Sequence, residues 1–143
     1  MKYILLIFSI IMYGNAFSQQ ADELKTLYYS DNGVEIFIKP TDCINSSQGT
    51  AKQYLFLEIV NNNSNEITIS FKKELWYNNV CNTCGANTNE NESSVIVLKN
   101  NRISGGCEVE DKQLSLFSRM LDLDNVRVLT KYELKNITIE NNN

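Results

Sequence analysis

The sequence has 143 residues, with 13 Lys and Arg against 17 Asp and Glu and no histidine. Because no basic cluster interrupts this acidic balance, nucleic acid and anionic membrane surfaces are disfavoured as partners. The lack of histidine excludes Ser-His-Asp and Cys-His nucleophile activation and every histidine-ligated metal centre. We therefore expect a protein that is not an enzyme and has no catalytic residue, no metal and no cofactor.

Residues 1–18 have the pattern of a secretory signal peptide. Lys2 precedes an apolar run over residues 3–13, and small residues stand before a predicted cleavage site at Gln19. The run is about half the length that spans a bilayer, so we expect no membrane insertion after cleavage. Loss of Lys2 leaves 12 Lys and Arg against 17 Asp and Glu, a net charge of −5. The mature chain is predicted to be secreted or periplasmic.

Alternating apolar residues predict strands along most of the mature chain. The clearest alternation is EITISFK, in which Ile67, Ile69 and Phe71 face one side of the strand. The segment at 113–120 also fits one face of a helix, and we interpret it as a strand. The predicted strands lie at residues 34–39, 53–60, 66–72, 94–99, 102–103, 113–120 and 131–140.

The spacing of these strands and their turn-rich connections predict an all-β fold, a single antiparallel immunoglobulin-like β-sandwich of about seven strands. The first strand ends at Pro40, and an Asn100-Asn101 turn makes a hairpin of the strands on either side of it. The predicted domain covers residues 33–140. A lead-in at 19–32 precedes it, and a disordered tail at 141–143 follows.

The four cysteines are predicted to share one end of the sandwich. Cys43, the Cys81 and Cys84 pair, and Cys107 follow the first, third and fifth strands. The loops after these strands share an end if consecutive strands run antiparallel. By the same count, the Asp122-x-Asp124 segment falls at the opposite end.

Export favours bridged, even-numbered cysteines, so we predict two disulfides among Cys43, Cys81, Cys84 and Cys107. In the chain-entropy estimate, longer loops gain more stability from cross-linking. This favours bonds from Cys81 and Cys84 to the two distant cysteines, without deciding which bonds to which.

The Cys-x-x-Cys pair has two other interpretations. A thiol–disulfide exchange centre at Cys81 and Cys84 is the alternative function, although such centres usually begin a helix, and Gly85 with an Asn- and Glu-rich run makes a poor helix start. A four-thiolate zinc site commonly uses two such pairs, and this chain has one pair and two single cysteines.

Trp76 and Tyr77, at the end of the third strand, have two interpretations. The favoured one is core packing over the disulfides, because aromatic side chains bury large areas. The other is an aromatic platform for sugar or peptide, bordered by Asn87, Glu90 and Glu92 of a long polar loop. These five residues form the candidate binding surface.

The signal peptide, the asparagine-rich turns and the run FLEIVNNNSNEITISFKKELWYNN resemble small exported immunoglobulin-like β-sandwich proteins of flavobacterium-type bacteria. The resemblance covers most of the mature chain, supports the fold and compartment, and implies no activity. The chain departs from antibody-type domains in having its cysteines in loops. The predicted function is a disulfide-braced binding or structural module of the cell envelope, whose partner is an envelope protein or a glycan.

Overall fold

The computed structural model describes residues 24–85, 91–108, 112–124 and 126–142. The predicted signal peptide lies outside these ranges. Within them the chain forms nine strands and one turn of 3-10 helix at Lys112–Leu114. The strands are β1 (Thr26–Asp31), β2 (Val34–Asn45), β3 (Thr50–Asn61), β4 (Glu66–Tyr77), β5 (Val80–Cys81), β6 (Glu92–Val97), β7 (Asn101–Ser104), β8 (Ser115–Met120) and β9 (Leu129–Asn142).

The strands form two antiparallel sheets, here called sheet A and sheet B. In sheet A, β1 pairs with β2 and β2 with β3, while β7 and β8 share the other side of β3. In sheet B, β9 pairs with one side of β4, and β6 and β5 pair with the other side. The two sheets pack face to face, which confirms the predicted antiparallel sandwich.

The core lies between the sheets and is built from alternate residues of the long strands. Since strand side chains alternate between faces, buried residues stand at alternate positions along much of β2, β3, β4 and β6. Each apolar side chain among them contributes roughly 1.5–3 kcal/mol when fully buried. The central members are Val34, Ile36, Ile38, Leu57, Ile59, Ile67, Ile69, Phe71, Val95 and Val97.

Asparagines in left-handed conformation form two tight hairpins. Asn32 (φ 48°) and Gly33 (φ 71°) join β1 to β2, and Asn78 (φ 49°) and Asn79 (φ 67°) join β4 to β5. Two central residues with positive φ define the type I′ turn, whose twist matches that of the flanking strands. The sequence analysis predicted a lead-in where β1 lies and a loop where β5 lies, and both predictions are wrong.

Several strands extend beyond their predicted limits, among them β2, β4 and β9. β2 continues through Pro40, which is tolerated because β1 pairs only as far as Ile38 and no other described strand pairs with that edge of β2. β4 continues to Tyr77. β9 runs to Asn142, so it includes residues that were assigned to a disordered tail.

The predicted hairpin around Asn100 is wrong, because the chain changes sheet there. β6 pairs with β4 through Val97 and Ile67, whereas β7 pairs with β3 through Asn101 and Asn61. Both β7 and β8 run antiparallel to β3, so the chain does not reverse direction between them. This places the Asp122 segment at the cysteine end, where Leu121 N–H donates to the Ala51 carbonyl, and overturns the predicted position.

Candidate functional site

Two disulfides are present, as predicted, but the favoured pairing is wrong. Cys43 bonds to Cys107 and Cys81 bonds to Cys84, with sequence separations of 64 and 3. The chain-entropy gain is about 4 kcal/mol for the long loop and about 2 kcal/mol for the short ring. A gain of this kind acts on the unfolded chain and does not decide which cysteines the fold brings together. Since all four cysteines are oxidised, they do not form the four-thiolate zinc site.

The Cys81–Cys84 ring lies against the free side of β4, beyond the end of β6. Cys81 pairs with Trp76, and Asn82 N–H donates to the Leu75 carbonyl at 2.9 Å. The Thr83 hydroxyl accepts from Leu75 N–H and donates to the Lys73 carbonyl, both at 2.9 Å. The hydroxyl thus takes the place of a partner strand in the gap between β5 and β6.

Trp76 lies on the outer face of sheet B, opposite the buried residues of β4. Its cross-strand neighbours are Cys81 on one side and Lys131 on the other, so the disulfide, the indole and the ammonium lie in a row across the sheet. Lys131 Nζ is 4.3 Å from the centroid of the indole ring, a cation–π contact. The indole is half-buried and is therefore not part of the central core.

Tyr77 points to the opposite face and is 6% exposed. Its hydroxyl donates to the Phe117 carbonyl at 2.8 Å, and the Arg127 guanidinium lies 4.0 Å from its ring centroid. Burial raises the pKa of Tyr77, and the nearby Arg127 charge partly opposes this rise. Tyr77 is a core residue and is not available to a ligand.

A row of alternating charges continues from Trp76 along the outer face of β9. Lys131 Nζ lies 2.7 Å from a Glu133 carboxylate oxygen, and Lys135 pairs with the other oxygen of the same carboxylate. Hydrogen bonds from these two lysines lower the pKa of Glu133 to about 2. The same carboxylate raises the pKa of Lys135. We call Lys131, Glu133 and Lys135 the charge ladder.

Beyond the charge ladder, a groove of about 360 Å³ opens on sheet B, and Phe71 adds an apolar side chain to its lining. The Ser70 hydroxyl donates to the Ser94 hydroxyl at 2.9 Å across the groove floor. Asn136, with φ 53°, lies where the β4–β9 register shifts and leaves the groove open on that side. Hydroxyl, amide, ammonium and carboxylate groups from three strands and the 3-10 turn also line the groove: Ser70, Lys72, Glu92, Ser94, Gln113 and Asn136.

The structure brings together part of the predicted binding surface. Trp76 and Glu92 belong to the outer face of sheet B, whereas Tyr77 faces inwards. Asn87 and Glu90 lie outside the described residues. The sequence did not predict the charge ladder, although three charges at alternate positions of one strand are a readable signal for a single polar face.

Within the described ranges, no group of three or more Cys, Asp and Glu side chains is arranged to hold a metal ion. In the same part of the chain, no helix is long and apolar enough to cross a membrane. Disulfides form and persist in oxidising compartments, and the two found here fit a location outside the cytoplasm.

No known protein family, curated protein or solved structure matches this chain. The resemblance to exported flavobacterium-type proteins therefore stays a prediction.

Proposed function

We propose that this protein is an exported, non-enzymatic module of the cell envelope that binds a glycan across the outer face of sheet B. The observation that carries the proposal is the position of Trp76 on this face, in line with the groove. Six residues of extended strand separate Trp76 from Ser70, a span of roughly 20 Å. Such a span matches several sugar units of an extended chain.

The chemistry of this face suits a saccharide. An indole offers an apolar surface for the C–H side of a sugar ring, together with a polar N–H. Hydroxyl, amide and carboxylate groups, all of which line the groove, can donate to or accept from sugar hydroxyls. Lys131 covers the indole through an exposed cation–π contact worth only about 0.5–1 kcal/mol, so a sugar can displace it at small cost.

A binding role is also supported by what surrounds this face. The Cys43–Cys107 disulfide ties β2 to the segment after β7, and hydrogen bonds from Asn82 and Thr83 hold the Cys81–Cys84 segment against β4, which provides a scaffold for a shallow site. Glu133 is held ionised by two lysines, which suits recognition and does not suit general acid catalysis at neutral pH. The chain has no histidine to supply a conventional base.

Binding can be tested with a panel of polysaccharides and peptidoglycan fragments, by calorimetry and by tryptophan fluorescence. Trp76 is the single tryptophan of the chain, so its emission reports occupancy directly. We expect a saccharide of the panel to bind, Trp76→Ala to weaken binding at least tenfold, and Trp76→Phe to retain part of it.

Val80→Ala is the matched control, since Val80 is exposed in the same hairpin and pairs with the inward-facing Tyr77. Loss of binding in this control as well would assign the effect to the hairpin and not to the indole. Failure of every saccharide to bind, or capture of a protein on the same face, would overturn the glycan proposal.

A further inference from the structure

The Cys81–Cys84 ring differs from the other disulfide in what it constrains. It closes over a sequence separation of 3, whereas Cys43–Cys107 spans 64 residues and ties β2 to the segment after β7. Because a short ring restrains little of the unfolded chain, its reduction has a smaller effect on the fold. Three hydrogen bonds to β4, through Asn82 and Thr83, hold the ring segment independently of the sulfur–sulfur bond.

The two sulfur atoms of the ring have different surroundings. Cys84 is exposed, whereas Cys81 is half-buried beside Trp76. The backbone N–H of Cys84 donates to Cys81 Sγ at 3.0 Å. A thiolate on Cys81 would accept this bond as a charge-assisted hydrogen bond, which is stronger than the bond made by the neutral sulfur.

A cation lies next to the ring. With the Asn82 amide oriented to satisfy both of its ends, its oxygen accepts from Arg127 Nη2 at 3.1 Å and its nitrogen donates to the Val80 carbonyl at 3.0 Å. The guanidinium thus adds a contact that holds Asn82, the residue after Cys81, in place when the sulfur–sulfur bond is open.

We propose that the Cys81–Cys84 disulfide is a thiol–disulfide exchange site, in which Cys84 is the attacked sulfur and Cys81 the leaving group. The reductant is a dithiol partner. The activity goes beyond the glycan binding proposed above and does not depend on it. A disulfide whose leaving thiolate is stabilised and whose other sulfur is exposed is the kind that exchanges readily.

The exchange with the dithiol partner takes place in two steps. A thiolate of the partner attacks Cys84 Sγ, a mixed disulfide forms, and the electron pair of the broken bond stays on Cys81 Sγ. The second thiolate of the partner then attacks the first partner sulfur, which releases the Cys84 thiolate. The partner dithiol is oxidised to a disulfide, and its two protons are taken up by Cys81 and Cys84.

The first experiment measures which disulfide opens in the folded protein. The protein is treated with dithiothreitol at neutral pH, quenched with N-ethylmaleimide and mapped by peptide mass spectrometry. We expect Cys81 and Cys84 to be modified at least tenfold faster than Cys43 and Cys107, with an unchanged β-type circular dichroism spectrum. Opening of the ring only at the rate of global unfolding would overturn the proposal.

The second experiment identifies the attacked sulfur. Glutathione, a monothiol, forms the mixed disulfide without a tethered second thiol to resolve it, and an early acid quench traps this species for location by mass spectrometry. An exposed structural disulfide without a preferred leaving group would carry glutathione on both cysteines. We expect at least a tenfold excess on Cys84, and equal labelling, or an excess on Cys81, would contradict the assigned roles.

The third experiment tests whether β4 holds the reduced ring ready to close again. Thr83→Val removes both hydroxyl hydrogen bonds, and Thr83→Ser keeps them. In glutathione redox buffers we expect Thr83→Val to shift the ring at least fivefold towards the dithiol, with Thr83→Ser close to wild type. Equal shifts in the two variants would remove the positioning role of the hydroxyl.

Discussion

The hydroxyl of Tyr77 in β4 donates a 2.8 Å hydrogen bond to the carbonyl oxygen of Phe117 in β8, and this bond joins sheet B to sheet A. The rings of the two residues are 6.3 Å apart, and Phe117 also meets Tyr54 edge to face at 5.8 Å. Tyr54 in turn stacks on Phe56. An aromatic cluster therefore connects the sheets near the end of β2 that carries Cys43 and the end of β4 that leads into β5.

Tyr77→Phe should lower the free energy of unfolding by about 1–2 kcal/mol, because it removes the bond between the sheets and leaves the Phe117 carbonyl without this donor. Urea denaturation at pH 7 measures the change. Tyr29→Phe is the control, since the Tyr29 hydroxyl makes only an exposed 3.4 Å contact with Asp31. A loss in the control as large as that in Tyr77→Phe would contradict a specific role for the bond between the sheets.

The same tyrosine predicts how the protein responds to alkali. Burial raises the pKa of Tyr77 above its ordinary value of 10.0 in the folded state. Its contribution to stability is therefore complete below about pH 10 and is lost as pH rises through the folded-state pKa. Stability measured from pH 8 upwards should begin to fall near pH 10, and less steeply in Tyr77→Phe. An identical fall in the two proteins would contradict this prediction.

Asn61 has the same connecting role at the other end of the sandwich. Its side chain is fully buried, and its Nδ2 lies 2.9, 3.2 and 3.1 Å from the carbonyl oxygens of Asn65, Val97 and Leu98, while its Oδ1 accepts from Asn63 N–H. Asn61→Ala should lower the free energy of unfolding by roughly 2–4 kcal/mol, since it leaves several backbone groups without their hydrogen-bond partner. Asn62→Ala, on the exposed neighbour, should stay within about 0.5 kcal/mol in the same denaturation series. Similar losses in the two variants would contradict a special role for Asn61.

The two glycines before Cys107 should respond differently to alanine. A Cβ on Gly105 would lie 2.4 Å from the Leu114 carbonyl oxygen and 2.7 Å from a Phe56 ring carbon, whereas a Cβ on Gly106 meets nothing within 4 Å. Gly105→Ala should destabilise the fold by about 1–3 kcal/mol, because the backbone has to move away from the new methyl group. Thermal denaturation of both variants checks this, and a harmless Gly105→Ala would contradict the close approach.

The alternation of apolar and polar residues predicted the positions of the central strands. It does not predict which strands share a sheet. The pattern of β6 and β7 is the same whether the two strands share a sheet or not, so the change of sheet at Asn100 could not be read from it. The predicted strand ended before Lys73, since a lysine at a core position interrupts the alternation of apolar and polar residues. In the structure Lys73 is buried, and its Nζ donates to the Lys112 carbonyl at 2.6 Å.

The candidate site was predictable only in part. The sequence analysis identified Trp76 as a candidate, but the face on which its side chain lies follows only if β4 is known to continue past Lys73. The Cys81–Cys84 bond depends on the left-handed Asn78-Asn79 turn, which returns the chain along β4. Asn32-Gly33 is a strong hairpin signal in the sequence and indicates a strand on either side of it, here β1 and β2.

Glu133 between Lys131 and Lys135 gives the sharpest prediction for the proposed binding face. Its folded-state pKa of about 2 lies below the ordinary 4.5, so the stabilising interaction is complete above about pH 4.5 and is lost as pH falls through about 2. A carboxyl titration by NMR should show a midpoint near 2, moving towards 4.5 in Lys131→Gln and in Lys135→Gln. Added salt should raise the wild-type midpoint, because this pair is open to solvent. Lys99→Gln, at an exposed turn away from the ladder, should leave the midpoint unchanged, and a wild-type midpoint near 4.5 would show that the ladder does not form in solution.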